Sequence, residues 1–447
     1  MKKIIWTIAL IMIFCNQEIN SQKNWTLGDC VTYAVSNNIQ LRRQRLQTDN
    51  ARVNLSKSRM DMLPDLNFES DGNVGFGRSI DPVTNLITFQ ENISNSYAIS
   101  SSLNLFSGFT TLNTMAANKY MFEAGLESEK IVINTLVVNI LGAYYQVLYA
   151  KGLENSARMQ LAQSEKQLFR IKKDVEAGRE AVSKQYEMES TASEDRLSLT
   201  VAINSTSQAV TSLKQILQLE PGREFNVQMP GMDSILITDE SFRTDSIFRI
   251  ASENLPRLKE INYELLASQK QVAAAKGAIS PKLILGGSVY TGFYQVVGSA
   301  GQQSFSDQLR GNNSQAVYAR LQIPLFNNYL TARNIKLARI RKNDTELRLE
   351  LEKNTLYTEI ENACLNYSRG KDEFAAAVSN FEFNKKSFDA VKKRFESGLV
   401  DVTDYSAAST NLFRAETEAL RTKLQLMIRR LIIQFYASGD YKTIINN

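Results

Sequence analysis

Residues 161–178, LAQSEKQLFRIKKDVEAG, and residues 381–398, FEFNKKSFDAVKKRFESG, are the two stretches on which the fold turns. In the first, Leu161, Ser164, Leu168, Ile171, Val175 and Gly178 alternate steps of three and four, the spacing that keeps a seam facing a neighbouring helix. In the second, Phe381, Asn384, Phe388, Val391, Phe395 and Gly398 occupy the same places 220 residues later. Both seams end on glycine, where a left-handed backbone stops a helix and lets the chain reverse. The spacing predicts two helical hairpins with tips at Gly178 and Gly398, returning as Lys184 to Leu219 and Asp404 to Ala437.

Working outward, the register extends over most of the chain. Ala34 to Leu41 (AVSNNIQL) matches Ala251 to Leu258 (ASENLPRL), Pro64 matches Pro281, and Gly75-Phe76 matches Gly292-Phe293, all at an offset of 217. After three extra residues the offset becomes 220, pairing Leu105-Phe106 with Leu325-Phe326 and Lys172-Lys173 with Lys392-Lys393. A shared register over this span is the mark of an internal duplication. The expected organisation is a first repeat at 22–220, a linker at 221–240 punctuated by Pro221-Gly222 and Pro230-Gly231, a second repeat at 241–437 and a tail at 438–447. Each repeat should run helix, strand, strand, long helix, helix. No proline interrupts Thr110 to Glu176 or Leu330 to Glu396. Each stretch is therefore expected as one helix, roughly 100 Å long at about 1.5 Å per residue.

Met1-Lys2-Lys3, the apolar run Ile4 to Phe14 and the small residue Ser21 read as a signal peptide over 1–21. The rival, a lipid anchor on Cys15, is disfavoured by bulky Phe14 before it. Cys30 and Cys364 then remain, without C-x-x-C spacing, and the sequence has no histidine. A disulfide framework and His-ligated metal are poorly supported, two buried apolar thiols are expected, and no cofactor is. A formal charge of +5, with no basic block longer than Lys392-Lys393-Arg394, gives no indication of nucleic-acid binding. There is no P-loop and no nucleophile elbow, and Gly72, Gly75 and Gly77 sit inside a β-segment, so no catalysis is expected.

Four β-segments are expected at Leu66 to Gly77, Ser94 to Phe106, Lys282 to Tyr294 and Gln315 to Phe326, each long enough for a tilted membrane strand. Tyr97, Ile99, Ser101, Leu103 and Leu105 make one face, and Val317, Ala319, Leu321, Ile323 and Leu325 its equivalent. A soluble sandwich would alternate in the same way. The signal peptide, the long helices, and Pro64 and Pro281 at the two helix-to-strand switches favour a barrel. Four strands cannot close one, since the smallest membrane barrels have about eight. Open edges are not tolerated in lipid, so protomers must share the barrel. Ile131 to Ala150 is apolar enough to span a membrane, but Asn134, Asn139 and Gln146 make a buried bundle segment the better reading.

Trp25-Thr26-Leu27, Leu63-Pro64-Asp65-Leu66, Ser280-Pro281-Lys282-Leu283, Leu105-Phe106-Ser107-Gly108 and Pro324-Leu325-Phe326, in this order, resemble the outer membrane factor (TolC-like) family across Trp25 to Ala437. The resemblance implies a mainly α fold with a membrane β-barrel part: a homotrimer sharing a twelve-stranded barrel in the outer membrane, continued by a coiled-coil tunnel into the periplasm. It also implies an exit duct for small molecules such as drugs, with a periplasmic adaptor docked on the hairpin tips and an inner-membrane pump as partners. In that family acids just after the second tip narrow the pore, a role that would fall to Asp401 and Asp404. Aligned on Gly398, only Asp404 takes an acidic family position, and a solvated helix start explains both residues equally well. A duct for type I protein secretion and a secreted coiled-coil scaffold or adhesin are the alternatives.

Overall fold

The computed structural model describes residues 24–80, 85–220, 222, 224–228, 242–298, 301 and 303–445. The expected signal peptide at 1–21 with Cys15, and most of the expected linker, lie outside the described residues.

The first repeat comprises β1 (Asn24–Trp25), α1 (Leu27–Asn37), α2 (Ile39–Met60), β2 (Asn67–Gly75), β3 (Ser79–Ile80), β4 (Ile87–Thr88), β5 (Asn92–Phe106), α3 (Thr110–Glu176) and α4 (Val182–Leu217). After β6 (Asn226–Val227) the second runs α5 (Thr244–Asn254), α6 (Pro256–Gly277), β7 (Lys282–Val296), α7 (Phe305–Gly311), β8 (Ser314–Gln322), α8 (Leu330–Glu396) and α9 (Val402–Ser438). A last turn, α10 (Lys442–Ile445), falls in the expected tail, which α9 also enters by one residue. The proline-free stretches are the single helices α3 and α8, each of 67 residues.

Where one opening helix per repeat was expected, there are two. Asn38 sits in an extended conformation between α1 and α2, and its Oδ1 accepts from the Leu41 amide at 3.1 Å. It therefore acts as the N-cap of α2. Its equivalent, Leu255, is extended because Pro256 follows it. The proline ring clashes with a helical residue before it yet suits the first position of a new helix. The linker is also more than a spacer: β6 pairs in parallel with β1, Asn24 opposite Asn226 and Trp25 opposite Val227.

The chain folds into two compact units that cut across the repeats. One is built from residues up to Gln44, Glu129–Pro256 and Lys353 onward, the other from Arg45–Ser128 and Arg257–Glu352. In the first unit, Thr26 and Asp29 form a capping box at the start of α1. The apolar stretch of α3 buries Val137, Ile140, Leu141, Val147 and Leu148 while Asn139 and Gln146 stay exposed. That face is core, not lipid contact, as the bundle reading requires. The Tyr144 hydroxyl donates to the Gln228 carbonyl at 2.9 Å and Lys151 Nζ to the Val227 carbonyl at 3.1 Å, strapping the β6 segment across α3. Cys30 is buried, and burial, with the Asp29 carboxylate next, pushes its thiol up to about 12. Cys364 is only half-buried, which corrects the expectation of two buried thiols.

In the second unit the strands form one antiparallel sheet, ordered β2-β5-β7-β8. β3 and β4 pair as a separate two-residue ladder.

Candidate functional site

Cross-strand register gives the four-stranded sheet two unlike faces. Phe68, Ile99 and Val289 lie side by side, as do Leu103, Leu285 and Ala319, and Phe106, Leu283 and Leu321. On the opposite face Asn67 meets Ser100 and Ser288, and Asp71 meets Ser96. A bulge after Asn104 leaves Leu105 without a partner, so Phe106 opposes Leu283 in the apolar row where Leu105 was expected. One extra residue shifts the alternation by one. β2 and β8 have no second neighbour within the described residues, so both edges are open.

The switches at the ends of the sheet recur in both repeats. Pro64 and Pro281 are exposed in the extended residues before β2 and β7. After Pro64, Asp65 Oδ1 accepts from the Ser102 hydroxyl at 2.9 Å, and its amide donates to the Ser102 carbonyl at 3.1 Å, pinning the entry of β2 to β5. On the way out, Gly108-Phe109 and Asn328-Tyr329 are left-handed pairs 220 residues apart, turning strand into long helix. Phe106 packs edge-on against Phe109 at 5.4 Å, and Phe326 against Tyr329 at 5.7 Å. All four rings are exposed.

At the other end of the long helices, the two tips close with the same backbone bonds. The Gly178 amide donates to the Val175 carbonyl and the Arg179 amide to Asp174; Gly398 and Leu399 donate equivalently to Phe395 and Arg394. With φ of 71° and 73° at the glycines, both are Schellman closures. Their chemistry diverges just beyond. The first tip carries Arg179 paired with Asp174 at 2.7 Å and Lys184 paired with Glu180 at 2.8 Å. The second carries Leu399, 70% exposed, then Asp401 and Asp404. The Asp401 carboxylate accepts from the Asp404 amide at 2.8 Å and caps α9. Asp404 is exposed one turn on. The two acids thus adjoin at the mouth of one hairpin, with Asp401 held by its cap.

Behind the tips the two hairpins pack on each other through Ile171, Met188, Phe388, Phe395, Val402 and Tyr405. The Tyr405 ring stacks on Phe395 at 4.6 Å, and its hydroxyl accepts from Gln163 Nε2 at 3.1 Å. Arg170 Nη2 donates to the Glu396 carbonyl at 2.7 Å, tying α3 to the end of α8.

Asp195 went unnoticed in the sequence. Met188, Ala192, Asp195, Ala202 and Ala209 all fall on the buried stripe of α4, with steps of four, three, seven and seven. A heptad count along α4 exposes the acid as the one charged residue in that seam. Gln160 Nε2 donates to its Oδ1 at 2.7 Å. Burial raises its carboxyl above the usual range, partly offset by hydrogen bonds from Ser164 and Gln160. The folded state therefore holds the proton more tightly than the unfolded chain does. The stability this contributes is complete below the unfolded pKa of Asp and is lost as pH rises through the folded value. Asp195→Asn is expected to raise the thermal midpoint at pH 7, with the gain over wild type shrinking toward pH 4 and below. A gain independent of pH would assign the effect to packing instead.

With this geometry in hand, the family model for outer membrane efflux proteins matches residues 31–218 and 248–436, one stretch in each repeat. The chain belongs to the outer membrane efflux protein family. It is similar to the outer membrane protein OprJ of Pseudomonas aeruginosa, 24% identical over 92% of this chain and 83% of that protein. It is also similar to the toluene efflux pump outer membrane protein TtgF of Pseudomonas putida, 21% identical over 92% and 84% of the two chains. The crystal structure of CusC, described as a transmembrane channel, superposes with a TM-score of 0.78 over 94% of this chain and 95% of that one, at 17% identity. As a member of this family the chain is an outer-membrane efflux duct that extends into the periplasm. The family is one of channels, not of enzymes.

Proposed function

We propose that three copies of this chain close a twelve-stranded barrel and form the exit duct of a tripartite efflux system. The duct would take small molecules such as drugs from an inner-membrane pump through a periplasmic adaptor. The observation that carries this reading is an open sheet, apolar on one face, whose two edges each adjoin a helix with its own exposed apolar stripe. Leu46, Val53 and Met60 stand seven residues apart and exposed on α2, which enters edge strand β2. Leu330, Leu337, Ile340, Leu347 and Leu351 make the corresponding exposed stripe on α8, which leaves edge strand β8. Lipid requires both edges to be paired, and heptad stripes require a partner helix. Pairing β8 and α8 of one copy with β2 and α2 of the next meets both needs at once.

In the assembly the chain serves as a passage and not as a catalyst. Gly178 and Gly398 place the tips that meet the adaptor, and exposed Leu399 offers it an apolar contact. Asp401 and Asp404 narrow the periplasmic entrance, and Pro64 and Pro281 switch tunnel into barrel. The division into a cleaved leader at 1–21, two repeats and a linker at 221–240 is part of the same reading. The name of TtgF, the outer membrane protein of a toluene efflux pump, supports small-molecule cargo.

Leu347→Asp with Leu351→Asp is expected to convert a detergent-stable trimer into monomer on native gels while each monomer keeps its helical circular dichroism. Release of the wild-type protein from envelopes by salt alone, as a soluble monomer, would sink the barrel. Cells lacking the chain should become hypersensitive to drugs and dyes; unchanged susceptibility with a lost secreted protein would transfer the duct to type I protein secretion. For the gate, Asp401→Ser with Asp404→Asn removes both charges while leaving a serine cap, sparing the helix the roughly 1 kcal/mol that an alanine would cost. Block of single-channel current by multivalent cations should weaken, and an unchanged current–voltage curve would reject the pore role.

A further inference from the structure

Just beneath the sheet, between α6 and α8, Gln269, Val272, Lys276, Arg339, Lys342 and Asn343 line a groove of about 380 Å³. Three of the six side chains are cationic, two are amides and none is acidic. Lys342 Nζ is paired with Glu346 at 2.7 Å. Lys276 and Arg339 form no ion pair among the described residues. The groove is the end of a longer pattern. From Leu330 through Asn343, α8 carries Arg333, Lys336, Arg339, Arg341 and Lys342 before its first acid, Asp344. Four of these cations follow one another at three-residue spacing, and like charges so placed on a helix repel. The ridge they form slants across the helix as every three-residue ridge does, and it delivers Arg339 and Lys342 to the α6 side. A run of mutually repelling cations ending in a concave site, with two of its charges unanswered, is what an anion would offset.

We propose that this groove binds a phosphate group. Arg339 presents a planar fork that matches two phosphate oxygens, Lys276 supplies a second full charge, and the amides of Gln269 and Asn343 supply neutral donors. The phosphate has two available sources. One is the headgroup of an anionic phospholipid: Lys276 is one residue from the end of α6, and exposed Phe326 and Tyr329 lie just before α8, the order of aromatic belt then cations found at a membrane interface. The other is free phosphate or a phosphorylated solute. The groove stands without the barrel reading; only the lipid source rests on it.

The test is native mass spectrometry of the full detergent-purified protein with added phosphatidylglycerol or phosphatidylcholine, alongside phosphorus NMR titration with inorganic phosphate. Wild type should retain phosphatidylglycerol over phosphatidylcholine, and Lys276→Gln with Arg339→Gln should lower that retention about tenfold, the loss of two charge-assisted contacts. Inorganic phosphate should displace the lipid better than chloride at equal ionic strength. Equal retention of the two lipids, with saturable phosphate binding that the double variant loses, would keep the site and assign it to free phosphate. If the glutamine variant misfolds, Lys276→Arg with Arg339→Lys keeps both charges and should keep binding. The proposal is overturned if neither ligand distinguishes wild type from a folded glutamine variant, or if phosphatidylglycerol is retained preferentially but phosphate and chloride displace it equally. Neither result bears on trimer formation, which the α8 apolar stripe tests separately.

Discussion

Gly108→Ala is expected to destabilise the protein by about 2–5 kcal/mol, the sum of a left-handed backbone penalty and an overpacking penalty. Gly108 has φ of 64°. A Cβ there would run into the carbonyl oxygen of Gly277 and lie 2.6 Å from Ser280 Cβ. The neighbour it meets is backbone, which no rotamer change can move. The same contact is built from both sides, because a Cβ on Gly277 would meet the Gly108 carbonyl and lie 2.7 Å from Thr110 Oγ1. Thr110 in turn donates to the Ala274 carbonyl at 3.2 Å, holding the start of α3 on the end of α6. Gly178→Ala is the control. Its φ is 71° but nothing lies within 4 Å of the added carbon, so only the roughly 1–2 kcal/mol of backbone strain applies. The measurement is the thermal midpoint followed by circular dichroism in detergent. Equal shifts for the two variants would show that the close approach at Gly108 carries no weight.

Tyr405→Ala is expected to cost about 3–5 kcal/mol locally, the range for truncating a large aromatic in a packed core. Tyr405 is 1% exposed and touches both aromatic neighbours of the tip cluster, Phe395 at 4.6 Å and Phe388 at 5.7 Å. Its loss leaves a cavity where the two hairpins meet, and the last turns of α8 and the first of α9 should open more often. The readout is local: trypsin cleavage after Lys392, Lys393 or Arg394 should accelerate, and amide exchange around the second tip should rise while the sheet stays protected. Tyr405→Phe keeps both ring contacts and removes only the bond from Gln163, worth about 1 kcal/mol. A phenylalanine variant as labile as the alanine one would place the tip's stability in the hydrogen bond instead of the stack.

The reach of the sequence differs from element to element for physical reasons. Helix periodicity and glycine stops are local, so the seams ending at Gly178 and Gly398 located both hairpins, and the absence of proline allowed Thr110–Glu176 and Leu330–Glu396 to be expected as the single helices that α3 and α8 are. Pro256 carried a local signal for the break between α5 and α6, but Asn38, polar and buried, does the same work at the break between α1 and α2 through a cap that composition does not reveal. The acids at the second tip were legible as residue types. That Asp401 is the cap of α9, and so is held by the Asp404 amide, needed backbone positions.

The duplication, the hairpin tips, the places of the four strands and the need for a shared barrel were legible in the sequence alone, because each follows from spacing along one chain; the strand ends were not, since β8 stops at Gln322 where Phe326 was expected, and β5 and β7 run to 15 residues. Only the tertiary structure decided the strand order β2-β5-β7-β8, the bulge that sets Phe106 in the apolar row and the β1–β6 strap. Each of these joins residues far apart in the chain or depends on a one-residue shift of register. A periodic pattern states which face is apolar and says nothing of which neighbour covers it.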